Sequence, residues 1–413
     1  MKNQFSELYK NAIEKVFEIP DTPAFVYSES VLNALVHSYL SEIKDDRIRI
    51  HFATKSNFNK KILEVFKKNN IGLDVVSAGE IQLAQDLSFD PSRVVFSSVG
   101  KTRDEIRSSI EWGIKTLNVE SLEELVKINE IATELKKKAN VSVRFNPNID
   151  VKTHPYIATG LSEHKFGLDE ESSYEAYRYI SENEYLNPVA LSFHIGSQLF
   201  EMASLEEALE RSVLFAKKIH EDFSMHLSFL DVGGGLGVDY TKPEELPNFS
   251  GYVAFLHKAL MAWEGIFGKS VEIVSETGRA LVSQAGFLLT KVIATKKNPS
   301  KDFLIVDASM TELIRPALYQ SEHKIESLKK AEVKGPLINY EVVGQVCESA
   351  DVLQKRVRLP VLVEDDLLVI HCAGAYGYVM SSMYNARPLA PIYWVEESGD
   401  YVLQRRKQLL FLD

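Results

Sequence analysis

Cysteine is almost absent from this sequence: Cys347 and Cys372 are the only two in 413 residues. That excludes a disulfide framework and a cysteine zinc cluster. Positive charge is also short. Against 58 Asp and Glu stand 47 Lys and Arg, a formal charge of −11, which suits neither a nucleic-acid backbone nor an anionic membrane surface. No apolar run approaches the ~20 residues of a membrane span. Met1-Lys2-Asn3-Gln4-Phe5 shows no secretory-signal pattern. H-E-x-x-H, Walker and G-x-S-x-G motifs are missing, as are solenoid repeats and low-complexity linkers. The expectation is a soluble cytoplasmic protein, 45% hydrophobic, with no metal site and a core large enough for one to three domains.

What is present is rhythm. From about residue 48 to 276, short β-rich runs alternate with helical patterns. The candidate strands end at Lys55, Ser77, Ser98, Val119, Asn146, Gly196, Gly233 and Glu276. Eight such units over this length predict an α/β fold, a (β/α)8 barrel. Thr102-Arg103-Asp104-Glu105 and Ser121-Leu122-Glu123-Glu124 read as capping boxes. Gly113 suits a helix end. Beyond about residue 282, Phe303-Leu304-Ile305-Val306, Leu367-Leu368-Val369-Ile370 and Ile392-Tyr393-Trp394-Val395 read as strands without long helices between them. The reading divides the chain into residues 1–35, whose Ala24-Phe25-Val26-Tyr27 joins a β domain, a barrel at 36–281, and an all-β domain at 282–413.

Barrel chemistry gathers at the C-terminal ends of strands, and polar residues fall there. Lys55 closes Ile48-Arg49-Ile50-His51-Phe52-Ala53-Thr54. A lysine at a buried strand mouth is either paired or snorkelling, or a reactive amine of the kind that forms Schiff bases. Asp74 and Ser77 lie in or after the second strand, Arg144 and Asn146 at the fifth, and His194 near the end of the sixth, beside Gly196-Ser197-Gln198. Asp231-Val232-Gly233-Gly234-Gly235-Leu236-Gly237 lacks the G-x-G-x-x-G spacing. It is a flexible turn or a cradle of backbone N–H groups for an anion. Loops after strands 7 and 8 commonly hold phosphate in this fold, and Gly278 sits in the second of them. Glu276 is either a strand-end carboxylate paired with Arg279 or a partner for a pyridine nitrogen. His194 is a structural histidine or a ring-stacking one. Together these residues describe a pyridoxal 5′-phosphate site.

The ordered set of segments resembles the fold-type III pyridoxal-phosphate decarboxylases. The likeness runs from about Pro23 to Pro391. It is carried by the lysine strand, Gly72 to Glu80, Gly160 to Gly167, His194 to Gln198 and the glycine loop. Glu276-Thr277-Gly278-Arg279, Arg315-Pro316-Ala317-Leu318-Tyr319, Cys347-Glu348-Ser349 and Gly374-Ala375-Tyr376-Gly377 complete it. The resemblance implies that Lys55 bonds to the cofactor while Asp74, His194, Ser197 and Glu276 surround it. Gly234, Gly235, Gly278, Arg279 and Tyr376 would complete its site. Arg279, Arg315, Tyr319, Glu348 and Tyr376 would bind an amino-acid substrate, with Glu348 taking a distal ammonium. Cys347 would be the acid that returns a proton after carbon dioxide leaves. Lys55, His194 and Cys347 form the implied catalytic set. A homodimer with shared sites and a Greek-key or β-sandwich second domain are also implied. The implied reaction is decarboxylation of meso-2,6-diaminopimelate to L-lysine. Ornithine, arginine or carboxyspermidine as substrate is the alternative, a racemase a further one, and a catalytically silent binding protein the reading from another class. Three positions depart from the family pattern. Thr277 replaces a proline and is expected to loosen its turn. Thr54-Lys55-Ser56 is more polar than usual. His371-Cys372 stands where aspartate is usual, with Cys372 read as a small buried residue.

Overall fold

The computed structural model describes residues 2–149, 165–328 and 336–406. The chain forms two compact units. One comprises Tyr39–Gly237 and Asn248–Gly278, and the other the residues up to Ser38, Val238–Pro247 and those from Arg279 onward.

An early strand, β1 (Ala24–Ser28), belongs to the second of these. The next eight are β2 (Ile48–Ala53), β3 (Gly72–Val75), β4 (Val94–Ser97), β5 (Thr116–Val119), β6 (Ala139–Arg144), β7 (Leu186–Ser192), β8 (Phe229–Asp231) and β9 (Glu272–Glu276). They close into a parallel barrel, β9 pairing back onto β2 with Glu276 opposite His51. Strands buried on both faces read as continuous apolar runs, and Val94-Val95-Phe96 is one, with no accessible surface. The strands stop up to four residues earlier than the sequence pattern suggested. The residues beyond them serve the next element instead: Ser77 caps the helix Ala78–Asp86 by accepting from the Glu80 amide, and Lys55 lies on a separate turn.

Helix ends follow their side chains. Thr102 and Glu105 form the full reciprocal capping box, and Gly113 ends that helix at φ 79, a left-handed conformation that glycine adopts without strain. The second expected box is only half made. Ser121 accepts from the Glu124 amide, but the Glu124 carboxylate accepts from the Glu120 amide at 2.8 Å and pairs with Lys101 at 3.1 Å. The buried lysine is the stronger competitor for that carboxylate.

The second unit is built on one branched sheet of nine strands. β10 (Gly286–Lys297), β11 (Asp302–Val306), β12 (Ile325–Ser327), β13 (Ile338–Val343), β14 (Val352–Leu359), β15 (Leu367–Ile370), β16 (Ile392–Val395) and β17 (Tyr401–Arg405) join β1 in it. β1 lies between β10, antiparallel, and β16, parallel. Residues 238–247, expected within the barrel, belong to this unit: Gln284 Nε2 donates to the Pro243 and Glu245 carbonyls at 2.6 and 2.7 Å, and the Lys324 amide donates to the Tyr240 carbonyl at 3.1 Å. Gly286 and Gly374 allow two backbones to meet, since a Cβ on Gly374 would lie 2.0 Å from the Val282 carbonyl oxygen and 2.8 Å from the Gly286 nitrogen. Gly374→Ala is therefore expected to cost about 1–3 kcal/mol, the range of overpacked cores, measured as a lower urea midpoint; an unchanged midpoint would show that this approach is loose.

Candidate active site

Lys55 sits on a single 3-10 turn, Thr54–Ser56, directly after β2. Ser56 Oγ closes the turn by donating to the Ala53 carbonyl at 2.7 Å. The Lys55 side chain is 41% exposed, yet its Nζ lies 3.4 Å from Oδ2 of the wholly buried Asp74. Asp74 Oδ1 has no hydrogen-bond partner among the described residues. Burial, and then the nearby Glu276 carboxyl, push Asp74 up to about 7, with Lys55 pulling the other way.

Glu276 ends β9. Its Oε1 accepts from Ser97 Oγ at 2.9 Å and lies 3.5 Å from Asn118 Nδ2. Burial and the Asp231 carboxyl raise Glu276 to about 8. Asp231, at the end of β8, accepts from the Gly233 amide at 2.9 Å and faces Asn118 Nδ2 at 3.4 Å. Burial is the main reason that it rises to about 6. Ser97, Asn118 and Asp231 carried no assigned role in the sequence reading. For Ser97 and Asp231 the available signal was a polar residue closing an otherwise apolar strand; Asn118, inside β5, gave none.

His194 lies just past β7. Its Nδ1 accepts the Gly234 N–H at 3.2 Å, so that nitrogen carries no proton. Burial, then the Arg144 and Lys55 charges, hold the imidazole well below its ordinary value. Arg144 is itself paired with Glu120 at 2.6 Å and lies 4.8 Å over the Phe166 ring. Gly160 to His164, part of the same sequence signature, fall outside the described residues. Ser197 is half-buried in the loop after His194.

The glycines let neighbouring segments of the chain approach closely. A Cβ on Gly234 would come 2.2 Å from the Glu276 carbonyl oxygen, and Gly235, at φ +115, would press one 2.7 Å from the Gly196 carbonyl. A Cβ on Gly278 would meet Ala53 and Ser56 at 3.0 Å. The Glu276 amide donates to the Gly233 carbonyl at 2.7 Å, so the loops after β8 and β9 are joined. Thr277 tightens this junction rather than loosening it. Its buried Oγ1 lies 3.1 Å from Tyr39 OH and 3.0 Å from Ser275 Oγ. Ser275 in turn meets Tyr252 OH at 3.0 Å, and Tyr252 donates to the Gly233 carbonyl at 3.4 Å.

In the other unit, Arg279 and Arg315 share a cage of tyrosines. Arg279 donates to Tyr240 OH and lies 4.8 Å over the Tyr376 ring. Arg315, 2% exposed, is 5.3 Å from the Tyr240 and Tyr319 ring centres and 5.8 Å from that of Tyr376. Burial and the Arg279 charge lower Arg315. Its Nε has no hydrogen-bond partner among the described residues. Against the effect of burial, the two guanidiniums pull the Tyr240 hydroxyl below its ordinary value. Tyr240 was missed in the sequence because it lies in 238–247, which reads as barrel. Cys347 and Glu348 are exposed between β13 and β14, the Cys347 amide donating to Asn385 Oδ1 at 2.8 Å. Cys372 is buried, and burial pushes its thiol up.

These residues fit pyridoxal phosphate. An amine stands at the barrel mouth beside a buried carboxylate with an unused acceptor oxygen. A second buried carboxyl is raised by burial and by a neighbouring carboxyl, and a neutral imidazole and close-approach glycine loops lie on the same unit. Fold and site thus define the pyridoxal-phosphate enzymes that work on amino acids from a barrel. Residues 30–283 match the family described as pyridoxal-dependent decarboxylase, pyridoxal binding domain. The chain is 38% identical to the diaminopimelate decarboxylase of Pseudomonas aeruginosa over 96% of its own length and 93% of that protein's. It is 39% identical to that of Vibrio cholerae over 94% of this chain and 91% of the other. The crystal structure of diaminopimelate decarboxylase from Helicobacter pylori complexed with L-lysine superposes with a TM-score of 0.88 at 37% identity, covering 96% of each chain. This chain belongs to the diaminopimelate decarboxylase family.

The carboxyl cluster has a pH signature. A carboxyl raised from its ordinary 4.5 to about 8 binds its proton more tightly when folded. Its contribution is complete below about 4.5 and is lost as pH rises toward 8. Protein stripped of cofactor should therefore lose thermal stability across that window, and Glu276→Gln should flatten the fall. Melting curves measured across it would count against the cluster if both proteins kept the same slope.

Proposed function

We propose that this chain decarboxylates meso-2,6-diaminopimelate to L-lysine and carbon dioxide, using pyridoxal 5′-phosphate. The observation that carries the substrate is the buried pair Arg279 and Arg315. Two guanidiniums in one tyrosine cage call for an anion, and Arg315 Nε has no hydrogen-bond partner among the described residues. Diaminopimelate keeps a distal carboxylate after its other end reacts. Ornithine and arginine have none and would leave that charge uncompensated, which ranks them, and carboxyspermidine, second. L-lysine, bound in the Helicobacter pylori relative, is the product this reading requires.

Bound pyridoxal phosphate supplies an electron sink for the pair left on the α-carbon as carbon dioxide departs. Lys55 would hold the cofactor through Nζ, with Asp74 Oδ2 beside it to balance charge as the amine gains or loses a proton. Glu276, buried beside Asp231, would accept a hydrogen bond from the ring nitrogen. His194 would lie against the ring, its neutral state adding no opposing charge. The backbone around Gly234, Gly235 and Gly278 would bind phosphate, and Ser197 and Tyr376 would add polar contacts. Arg279, Arg315 and Tyr319 would orient the distal carboxylate, and Glu348 the distal ammonium. The Cys347 thiol would return the proton to the α-carbon. Cys347 and Glu348 are exposed on a single chain, where water would compete with both tasks. This supports a homodimer in which each subunit shields and completes the other's site. The domain division that goes with this reading is a cofactor-binding barrel and a substrate-binding β domain. A cytoplasmic location accords with the near absence of cysteine and with the lack, among the described residues, of any helix long and apolar enough to cross a membrane.

Purified protein should show visible absorption from lysine-linked cofactor, and Lys55→Ala should lose it. Carbon dioxide release should be fastest from diaminopimelate among diaminopimelate, ornithine, arginine and lysine; faster release from ornithine or lysine would refute the assignment. Cys347→Ala should lower kcat by about 10²-fold or more, the usual worth of a positioned proton donor.

A further inference from the structure

β4 ends in Ser97 and β5 carries Asn118 one residue before its end, two polar groups that the proposed chemistry does not use. Inside a barrel such groups are costly unless satisfied. Asn118, 2% exposed, has its Nδ2 2.8 Å from Ser97 Oγ, 3.4 Å from Asp231 Oδ2 and 3.5 Å from Glu276 Oε1. Ser97 passes its own hydrogen to Glu276 Oε1 at 2.9 Å. The amide's Oδ1 has no partner among the described residues, so the group acts there through its two N–H hydrogens. Its backbone is anchored as well: Lys101 Nζ, fully buried and paired with Glu124 at 3.1 Å, donates to the Asn118 carbonyl at 2.6 Å.

We propose that Asn118 is a positioning residue for Glu276, its amide gathering Ser97, Asp231 and Glu276 into one group so that Glu276 meets the cofactor's ring nitrogen in a fixed orientation. The inference rests on the reading of Glu276 as the ring-nitrogen partner. Two carboxyls in one buried space repel when both are charged. With one Asn118 N–H directed to Ser97 Oγ, the other faces the Asp231 and Glu276 oxygens at 3.4 and 3.5 Å and offsets that repulsion between them, and the Lys101–Glu124 pair keeps the donor in place. Asp231 thereby bears on the charge of Glu276 without touching substrate.

The test uses holoenzyme carrying Asn118→Ala, Ser97→Ala, Glu276→Gln, and Asn118→Ala with Glu276→Gln. Two quantities are read: the pH midpoint of the bound cofactor's visible absorption and the dissociation constant of pyridoxal phosphate. Asn118→Ala is expected to move the midpoint by about one pH unit. It should weaken cofactor binding about tenfold, the worth of one hydrogen bond to a charged group. Ser97→Ala should move both in the same direction by less. In the Glu276→Gln background Asn118→Ala should add nothing, a dependence that a general packing defect would not produce. If Asn118→Ala leaves the midpoint unmoved, or its effect adds in full to that of Glu276→Gln, the proposal is overturned. If Asn118→Ala fails to fold, an unmoved midpoint in Ser97→Ala overturns it equally. If Glu276→Gln alone changes neither quantity, the reading of Glu276 falls and takes the proposal with it.

Discussion

Asp74, Asp231 and Glu276 share a buried space in which ionising all three is costly. Burial and mutual repulsion raise all three, and Lys55 is the cation that opposes the rise at Asp74 and Glu276. The surrounding architecture answers to this constraint. Ser97, Asn118 and the Gly233 amide donate into the cluster. His194 stays neutral, so it neither relieves the cluster nor competes with an incoming cation. Under the proposed reading, a protonated pyridine ring would bring a cation to this cluster, so that cofactor binding would also compensate charge.

The β unit poses the same problem with the sign reversed. Arg279 and Arg315 are buried against aromatic faces, which soften the cost of the charges without neutralising them. Tyrosine faces and a lowered Tyr240 hydroxyl stand beside both arginines, and Arg315 also donates to Ser321 Oγ at 3.2 Å. Under the proposed assignment, a substrate with a distal carboxylate would pair with these charges where a simple diamine precursor would not. Specificity of this kind comes from leaving the wrong ligand's site unpaired, the stronger form of discrimination.

Much of this was legible in the sequence, and the reasons are local. The eight strands were found because fully buried parallel strands leave apolar runs between capped helices, as at Val94-Val95-Phe96 before Thr102. Lys55, His194, Glu276 and the glycines stood out as polar or small residues at strand ends. What stayed hidden depended on contacts distant in sequence. Asn118 reads as an ordinary strand residue until Asp231 and Glu276 are known to face it. Glu124 reads as a capping residue until Lys101 claims its carboxylate. Thr277 looks like a loss of proline stiffness until Tyr39 and Ser275 are found against its hydroxyl. Tyr240 falls in a stretch that sequence order assigns to the barrel and packing assigns to the β unit.

The position of β1 has a consequence for biosynthesis. Its neighbours in the sheet are β10 and β16, both made after every barrel strand. As the chain leaves the ribosome, Ala24-Phe25-Val26-Tyr27-Ser28 has neither edge partnered until the polypeptide has passed residue 286, and only one until it has passed 392. A mostly apolar strand waiting this long with open edges is exposed to pairing with another copy. The barrel residues, by contrast, are contiguous enough to condense while it waits, so the unit begun first is finished last.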